Sequence, residues 1–254
     1  MTTSVLTQVV DGVLVVTINR PDVRNAIDTA TAVGIAAALD ELDGRDDLTA
    51  GVLTGAGSSF CTGMDLKAFL AGEKPSVPIR GFAGIVEKPA DKPLIAAVEG
   101  YAVAGGFEIV LACDLVVASR EATFGLPEVR RGLVAAGGGL MRLASRVPYA
   151  LAAEWALTGA FVPAPRALEA GLVNRLTEPG AALDGALELA AAIAANGPLA
   201  VRATKRILVE SRGWPADEAF DRQREITLPV RASEDAKEGA TAFREKRKAV
   251  WRGR

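Results

Sequence analysis

The chain has 254 residues, of which 50% are hydrophobic and 24% are charged, and its formal net charge is −2. This length suits one large domain, and the small net charge gives no electrostatic reason to expect nucleic acid or an anionic membrane as a partner. No apolar run reaches the roughly 18 residues that a membrane span needs, and the start of the chain shows no signal-peptide pattern. We therefore expect a cytoplasmic protein.

The sequence contains no histidine. This excludes the Ser-His-Asp triad, the Cys-His pair and every metal site with a histidine ligand. Proton transfer in an enzyme of this composition must use a carboxylate, a lysine, a tyrosine or a thiolate. Cys61 and Cys113 are far apart in the sequence and form no metal-binding pair, so we interpret both as reduced core residues rather than reactive thiols.

Strands and helices alternate along the first two thirds of the chain. The predicted elements, in chain order, are a strand at 13–18, a helix at 29–42, strands at 51–54 and 92–98, a helix at 107–112, a strand at 114–118 and a short strand near 173–176. Residues 72–81 carry three charges and two prolines, which is typical of an exposed, mobile loop. From about residue 140 the pattern is mostly helical. Alternation with short links indicates the α/β class with parallel strand pairing.

A first candidate site lies where two glycines precede an apolar helix. Gly105 and Gly106 let the main chain approach a ligand closely, and a helix that begins there points free N–H groups at that ligand. Such donors stabilise a carbonyl oxygen that gains negative charge. Glu108 lies in the same first turn. The alternative is an ordinary strand-to-helix turn in which Glu108 has no chemical role.

A second candidate is Glu128, which lies in a loop with glycine, proline and apolar neighbours. A carboxylate in such surroundings is either a surface residue or a proton-transfer group with a raised pKa. The nearby run Gly137-Gly138-Gly139 lacks the lysine and hydroxyl residue that end a phosphate-binding loop. We interpret this run as a tight turn into a helix.

A third candidate is the segment from Phe60 to Lys67, in which a glycine turn leads into helical residues. The N–H group of Met64 is placed to be another free donor beside a ligand. Asp65 is equally consistent with an ordinary residue at the start of a helix. Lys67 is equally consistent with a solvated surface charge.

Together these segments resemble the crotonase superfamily, which comprises the enoyl-CoA hydratases and their relatives. The matching segments, in chain order, are Asn19-Arg20-Pro21, Asn25-Ala26, Phe60 to Lys67, Lys92-Pro93, Gly100-Tyr101, Gly105 to Glu108, Cys113-Asp114, Phe124 to Glu128, Gly171 to Asn174 and Phe243 to Arg247. The resemblance implies an α/β fold, a crotonase-like spiral of ββα turns with a helical C-terminal region. We place the core with the active site at 1–195 and the region for oligomerisation and CoA contact at 196–254.

The resemblance also implies roles for individual residues. Glu108 and Glu128 would hold a water between them, one activating it for attack on the β-carbon of an enoyl-CoA and the other protonating the α-carbon. The N–H groups of Met64 and Gly105 would form the oxyanion hole for the thioester oxygen. The implied substrate-binding residues are Met64, Asp65, Leu66, Lys67, Gly105, Ala136, Phe243 and Lys246, the last two at the adenosine end of CoA.

The implied partner is an acyl-CoA thioester, and the chemistry calls for no metal and no cofactor beyond the coenzyme A of the substrate. Members of the superfamily commonly assemble as homotrimers or as dimers of trimers. Three places in the chain depart from the hydratase pattern. Ala104 replaces a third glycine, and Ala135-Ala136 replaces a common Pro-Gly, although Ala136 keeps the N–H that would hold the water. Met64 is larger than the residue common there, which would trim the acyl pocket.

The activity that we expect is hydration of an α,β-unsaturated acyl-CoA. One alternative is a double-bond isomerase of the same superfamily, which can work with Glu128 alone. Another is a carnitinyl-CoA dehydratase, which segments 63–68, 81–84 and 251–254 favour; its quaternary ammonium substrate would need an aromatic or anionic cage that the sequence does not locate. A third is an acyl-CoA-binding protein without catalytic activity.

Overall fold

The computed structural model describes residues 3–254, so the first two residues of the predicted core region lie outside the described residues. The strands are β1 (Val5–Val10), β2 (Val13–Ile18), β3 (Ala50–Gly55), β4 (Ser76–Val77), β5 (Gly81–Phe82), β6 (Leu94–Val98), β7 (Tyr101–Val103), β8 (Leu115–Ser119), β9 (Thr123–Gly125), β10 (Val162–Pro163) and β11 (Arg175–Thr177). The α-helices are α1 (Thr29–Gly44), α2 (Leu66–Leu70), α3 (Gly105–Ala112), α4 (Gly139–Arg146), α5 (Tyr149–Thr158), α6 (Ala164–Glu169), α7 (Ala182–Ala194), α8 (Pro198–Glu210), α9 (Ala219–Ala232) and α10 (Glu234–Glu245). Short 3₁₀ helices lie at Pro21–Val23, Pro127–Arg131 and Ser211–Gly213.

The largest sheet has six strands in the order β1-β2-β3-β6-β8-β11. All neighbours in it are parallel except β1, which is antiparallel to β2. The α/β class with parallel pairing is therefore confirmed. β1 was not predicted, because the sequence of this edge strand is mixed and most of its side chains are exposed.

Helices cover both faces of the large sheet. Along β6 the side chains alternate: Leu94, Ala96 and Val98 point into the larger core cluster, and Ile95 and Ala97 point into a second cluster beneath α7. This alternation follows from the two-residue period of a strand. Burial on both faces explains why β6 is a continuous apolar run rather than an alternating one.

A smaller sheet, β10-β9-β7, stands next to the large one. β6 and β8 pair in the large sheet while the strands that follow them, β7 and β9, pair in the small sheet. The turn before them repeats the pattern, because β3 lies in the large sheet and Cys61 after it forms a bridge to Ala102 of β7. Each turn then enters a helix, so the expected spiral of ββα turns is confirmed.

Most residues of the segment 72–81 are exposed, as predicted, but the segment is not simply a loop. It contains β4, which pairs with β5, and Arg80 is 5% exposed. The guanidinium of Arg80 donates to Oδ1 of Asp40 at 2.6 Å and to the carbonyl of Lys88 at 2.7 Å. A buried arginine is tolerated here because its donors are satisfied by these partners.

The last third of the chain is mostly helical, as predicted, with two short strands, β10 and β11, rather than one. β11 begins at Arg175, two residues after the predicted start. No helix among residues 3–254 is long and apolar enough to cross a membrane. The division into a core at 1–195 and a C-terminal region at 196–254 stays a prediction.

Candidate active site

The candidate residues lie at equivalent points of three successive turns of the spiral. Each follows the segment that its turn contributes to the small sheet: Met64 comes after Cys61, Gly105 after β7, and Glu128 after β9. The three segments are held side by side, since Val103 donates to the carbonyl of Cys61 and Ala104 donates to the carbonyl of Gly125. Residues far apart in the sequence are therefore brought to one edge of the small sheet.

The N–H groups of Met64 and Gly105 have no acceptor among residues 3–254. Their segments touch: a Cβ built on Gly63 would lie 3.0 Å from the nitrogen of Gly105. The donors on either side of Met64 are occupied, since Gly63 donates to the sulfur of Cys61 and Asp65 to the carbonyl of Ile27. The structure thus leaves two adjacent main-chain donors unpaired, which is the arrangement that an oxyanion hole requires.

Local sequence explains how each donor is held. Ala104, the N-cap of α3, has φ 51° and ψ −131°, a conformation that turns the chain sharply from β7 into the helix. Gly106 allows α3 to lie directly on the preceding turn, because a Cβ there would be 2.1 Å from the carbonyl oxygen of Cys61. Asp65 caps α2 by accepting from the N–H groups of Lys67 and Ala68.

Arg20 fixes the segment that carries the Met64 donor. Its guanidinium lies 3.0 Å from the carboxylate of Asp65 and 3.1 Å from that of Asp28. The side chain of Asp65 is therefore occupied by the cap and by Arg20. Contact of Asp65 with a substrate would have to come from its main chain.

Glu108 is buried, with 5% of its surface exposed. Its Oε1 accepts from the N–H of Gly137 at 2.7 Å and from the N–H of Gly139 at 3.0 Å. Burial raises the pKa of Glu108, while the two N–H donors and the positive charge of Arg142 oppose that rise. The site therefore holds this carboxyl in one orientation and supplies partners for its charged form.

Glu128 is half-buried and is held differently. Its Oε2 is enclosed and has no hydrogen-bond partner among residues 3–254. Burial raises the pKa of Glu128, and the negative charge of Glu108 raises it further. The two carboxyl groups are therefore close enough for the charge of Glu108 to act on Glu128. Burial raises the pKa of both, but the charged form of Glu108 has two N–H donors and Arg142 to stabilise it, whereas Oε2 of Glu128 has no partner among the described residues.

A comparison with protein-family models matches residues 8–254 to the family described as enoyl-CoA hydratase/isomerase. The chain belongs to the enoyl-CoA hydratase/isomerase family. The resemblance to the crotonase superfamily is thus confirmed, and the chain is a member of an enzyme family.

Known members of the enoyl-CoA hydratase/isomerase family are similar over the whole chain. An enoyl-CoA hydratase structure from Mycobacterium tuberculosis H37Rv is 58% identical, with a TM-score of 0.98 and 100% of each chain covered. Enoyl-CoA hydratase EchA19 of Mycobacterium tuberculosis is 45% identical over 243 residues, 92% of this chain and 91% of the relative. Carnitinyl-CoA dehydratase of Salmonella paratyphi A is 41% identical over 252 residues, 95% of each protein.

The remaining substrate-binding positions implied by the enoyl-CoA hydratase/isomerase family fall in two places. Leu66 and Lys67 open α2 directly after the Met64 donor, with Leu66 62% exposed. The N–H of Ala136 has no acceptor among residues 3–254 and lies next to Gly137. Phe243 and Lys246 instead lie at the end of α10, which packs on α9, and Phe243 is 87% exposed.

The glycine run is a turn into a helix, as interpreted: Gly138 has φ 82° and α4 begins at Gly139. Its part in the site was missed, because nothing in the sequence shows that Gly137 and Gly139 donate to Glu108. A larger residue at either position would displace the side chain of Glu108, since an added Cβ would lie 2.8 Å from its Oε2 at Gly137 and 2.7 Å from its Cγ at Gly139. The signal that could have found these two donors is the run of three glycines itself, which follows both candidate acids, Glu108 and Glu128, in the chain.

Both cysteines are free and fully buried, which confirms that they are core residues. Among the described residues no group of three or more His, Cys, Asp or Glu side chains is placed to hold a metal ion. The candidate site therefore consists of two carboxyl groups, two unpaired N–H donors and the glycine turn that holds Glu108.

Proposed function

We propose that the protein catalyses the reversible addition of water to an α,β-unsaturated acyl-CoA. The observation that supports this most is the pairing of two carboxyl groups in unequal environments beside two unpaired main-chain donors. Hydration needs a base for the water, an acid for the α-carbon and a site for negative charge on the thioester oxygen. Each requirement has a matching group.

Glu108 is the base in this proposal. Its carboxylate is held by the N–H groups of Gly137 and Gly139 and accepts a proton from the water as the water oxygen bonds to the β-carbon. The electrons of the double bond move to the thioester oxygen, which becomes an enolate. The N–H groups of Met64 and Gly105 bind that oxygen, and losing one such donor typically costs about 3–4 kcal/mol of barrier.

Glu128 is the acid. Its enclosed oxygen and the nearby charge of Glu108 favour the protonated carboxyl, which then gives its proton to the α-carbon as the enolate collapses. Proton exchange with solvent restores both groups for the next turnover. Because the conjugated thioester is polarised by the oxyanion hole and no net oxidation occurs, the reaction as proposed uses no metal or redox cofactor.

The remaining expectations are part of the proposal. Met64 to Lys67 would lie along the acyl-CoA, and the N–H of Ala136 would help to hold the water. Phe243 and Lys246, at the end of the helix α10 that packs on α9, would reach the adenosine end of CoA from a neighbouring subunit. Assembly as a trimer or a dimer of trimers, and a cytoplasmic location, stay predictions.

The test is the decay of the conjugated thioester absorbance with crotonyl-CoA and longer enoyl-CoA substrates. We expect hydration by the wild type and loss of roughly 10²–10⁴-fold in kcat for Glu108→Gln and for Glu128→Gln. Glu121→Gln, which changes an exposed glutamate close to Glu128 in the chain, is the matched control. If no enoyl-CoA of any length is hydrated, or if calorimetry shows tight binding without turnover, the proposal is wrong.

The same variants separate hydration from double-bond isomerisation. An isomerase that uses Glu128 alone would keep its activity in Glu108→Gln, whereas a hydratase would lose it. Including crotonobetainyl-CoA in the substrate panel tests the carnitinyl-CoA alternative. The chain is 58% identical to the Mycobacterium tuberculosis enoyl-CoA hydratase structure and 41% identical to the Salmonella carnitinyl-CoA dehydratase, which supports hydration of an enoyl-CoA as the first activity to test.

A further inference from the structure

Arg142 lies one turn into α4 and reaches back to the glycine turn before that helix. Its Nη1 donates to the carbonyl of Gly137 at 3.2 Å, and its Nη2 donates to the carbonyl of Val86. Gly138 leaves space for this side chain, since a Cβ there would lie 2.6 Å from Nη1. The guanidinium is thus clamped between the glycine turn and the segment before β6.

Gly137 is consequently held from two sides. Its N–H donates to Glu108, and its carbonyl accepts from Arg142. A turn of three glycines is conformationally free and would otherwise sample many arrangements. The contact with Val86, which is 3% exposed, ties the guanidinium itself to the core.

We propose that Arg142 is a positioning residue that keeps the N–H groups of Gly137 and Gly139 on the carboxylate of Glu108. This inference rests on the proposed function, in which Glu108 is the base. Arg142 touches no reacting atom in this scheme. It acts through the glycine turn, and its charge adds to the stabilisation of the charged carboxylate.

The charged and titratable groups around this pair are few. Glu108 is faced by Arg142 from α4 and by Glu128 from the 3₁₀ helix at Pro127–Arg131. Arg142 is faced by Glu108 and Cys113 of α3, and Arg146 of its own helix senses its charge. The Cys113 thiol is buried with a pKa raised to about 12 and is therefore neutral. Arg142 adds its positive charge to the two glycine N–H donors that stabilise the charged form of Glu108.

The experiment compares Arg142→Met and Arg142→Lys with Arg146→Met. Arg146 is the matched control because it lies on the same helix and donates to the carbonyl of Cys113 rather than to the glycine turn. We expect Arg142→Met to lower kcat for enoyl-CoA hydration by roughly tenfold to a hundredfold with little change in KM. The acidic limb of the kcat/KM profile should move to higher pH, because Glu108 loses a stabilising charge.

Arg142→Lys keeps the charge and one donor. It should therefore recover part of the activity lost in Arg142→Met, and its acidic limb should lie between those of Arg142→Met and the wild type. Arg146→Met should leave the limb in place. If Arg142→Met is folded and its acidic limb coincides with that of the wild type, or if Arg146→Met shifts the limb equally, the inference is wrong. If Arg142→Met does not fold, Arg142→Gln, which is also uncharged, takes its place and is judged by the same two outcomes.

An activity-independent measurement separates this inference from the proposed function. The amide proton shifts of Gly137 and Gly139 report their hydrogen bonds to Glu108 and follow its titration. In the wild type these shifts should titrate with Glu108, and in Arg142→Met they should move towards values for unbonded amides. A wild type that hydrates no substrate would refute the proposed function, whereas unchanged amide shifts in Arg142→Met would refute the positioning role.

Discussion

Nζ of Lys205 lies 2.6 Å from Oδ2 of Asp114 and joins α8 to the core just before β8. The same ammonium donates to the carbonyls of Ala90 and Lys92, and Asp114 also accepts from the N–H of Leu94 at 2.8 Å. All three N–H bonds of the ammonium are used. The contact is therefore a junction between the C-terminal helices and the large sheet.

Replacing Lys205 by methionine should destabilise the protein by about 2–4 kcal/mol, because it leaves Asp114 and two carbonyls without their donor. Urea unfolding measures this change. The control is Arg206→Met on the same helix, whose pair with Glu210 is exposed and should cost no more than about 1 kcal/mol. Equal losses in the two variants would show that Lys205 is an ordinary surface lysine.

Glu128→Gln should raise stability at neutral pH while lowering activity, because burial and Glu108 oppose ionisation of the enclosed Glu128 carboxyl, whereas an amide stays neutral at every pH. A gain of about 1 kcal/mol would raise Tm by about 2–4 °C in a protein of this size. Differential scanning calorimetry measures the difference between the variant and the wild type.

The gain from Glu128→Gln should depend on pH. The pKa of Glu128 is raised in the folded state by burial and by Glu108, so the wild-type side chain favours folding below its ordinary value of about 4.3 and loses that contribution as pH rises through the raised value. The variant's advantage should be small at acidic pH and largest at neutral pH. An advantage independent of pH would contradict this account.

Ala104→Gly should stabilise the protein. A non-glycine residue at φ 51° and ψ −131° carries strain of about 1–3 kcal/mol, from which the extra freedom of glycine in the unfolded chain subtracts about 0.4–1 kcal/mol. Thermal unfolding measures the net gain. Ala102→Gly in β7, at a buried position without positive φ, is the control and should destabilise.

The two thiols should not react with Ellman's reagent in the native protein. Burial raises the pKa of Cys61 and of Cys113 to about 12, and a thiol, unlike a thiolate, is a poor nucleophile. Both should react once the chain is unfolded in concentrated guanidinium chloride. Ala232→Cys, at an exposed position of α9, provides a thiol that should react at once; fast native reaction in the wild type would contradict the buried environment.

Sequence patterns predicted those parts of the fold in which the polarity of each residue follows directly from the burial of its own position. β2, β3, β6 and β8 are apolar because both of their faces are covered, and α1 has helical spacing because one face is buried. Arg80 shows the limit of such patterns. A charged residue just after two prolines predicts a surface loop, and its burial depends on Asp40, a partner 40 residues earlier in the chain.

The candidate site was predictable as a set of residues but not as a set of contacts. The resemblance to a family supplied Glu108, Glu128, Met64 and Gly105, because motif order survives in the sequence. The hydrogen bonds of Gly137 to Glu108 span 29 positions and belong to main-chain atoms. A main-chain N–H group is present at every residue except proline, so the sequence does not show which of these groups donates to Glu108. Only the structure identifies the pairs.

The placement of Met64, Gly105 and Glu128 on three successive turns has a consequence for how such a site can change. Each turn ends in its own loop, while the strands beneath are paired independently of what the loop carries. A substitution in one loop can therefore alter a single function, such as proton donation or stabilisation of the oxyanion, without disrupting the strand pairing that supports the other two loops. Divergent chemistries could arise on this scaffold by exchanging one loop at a time.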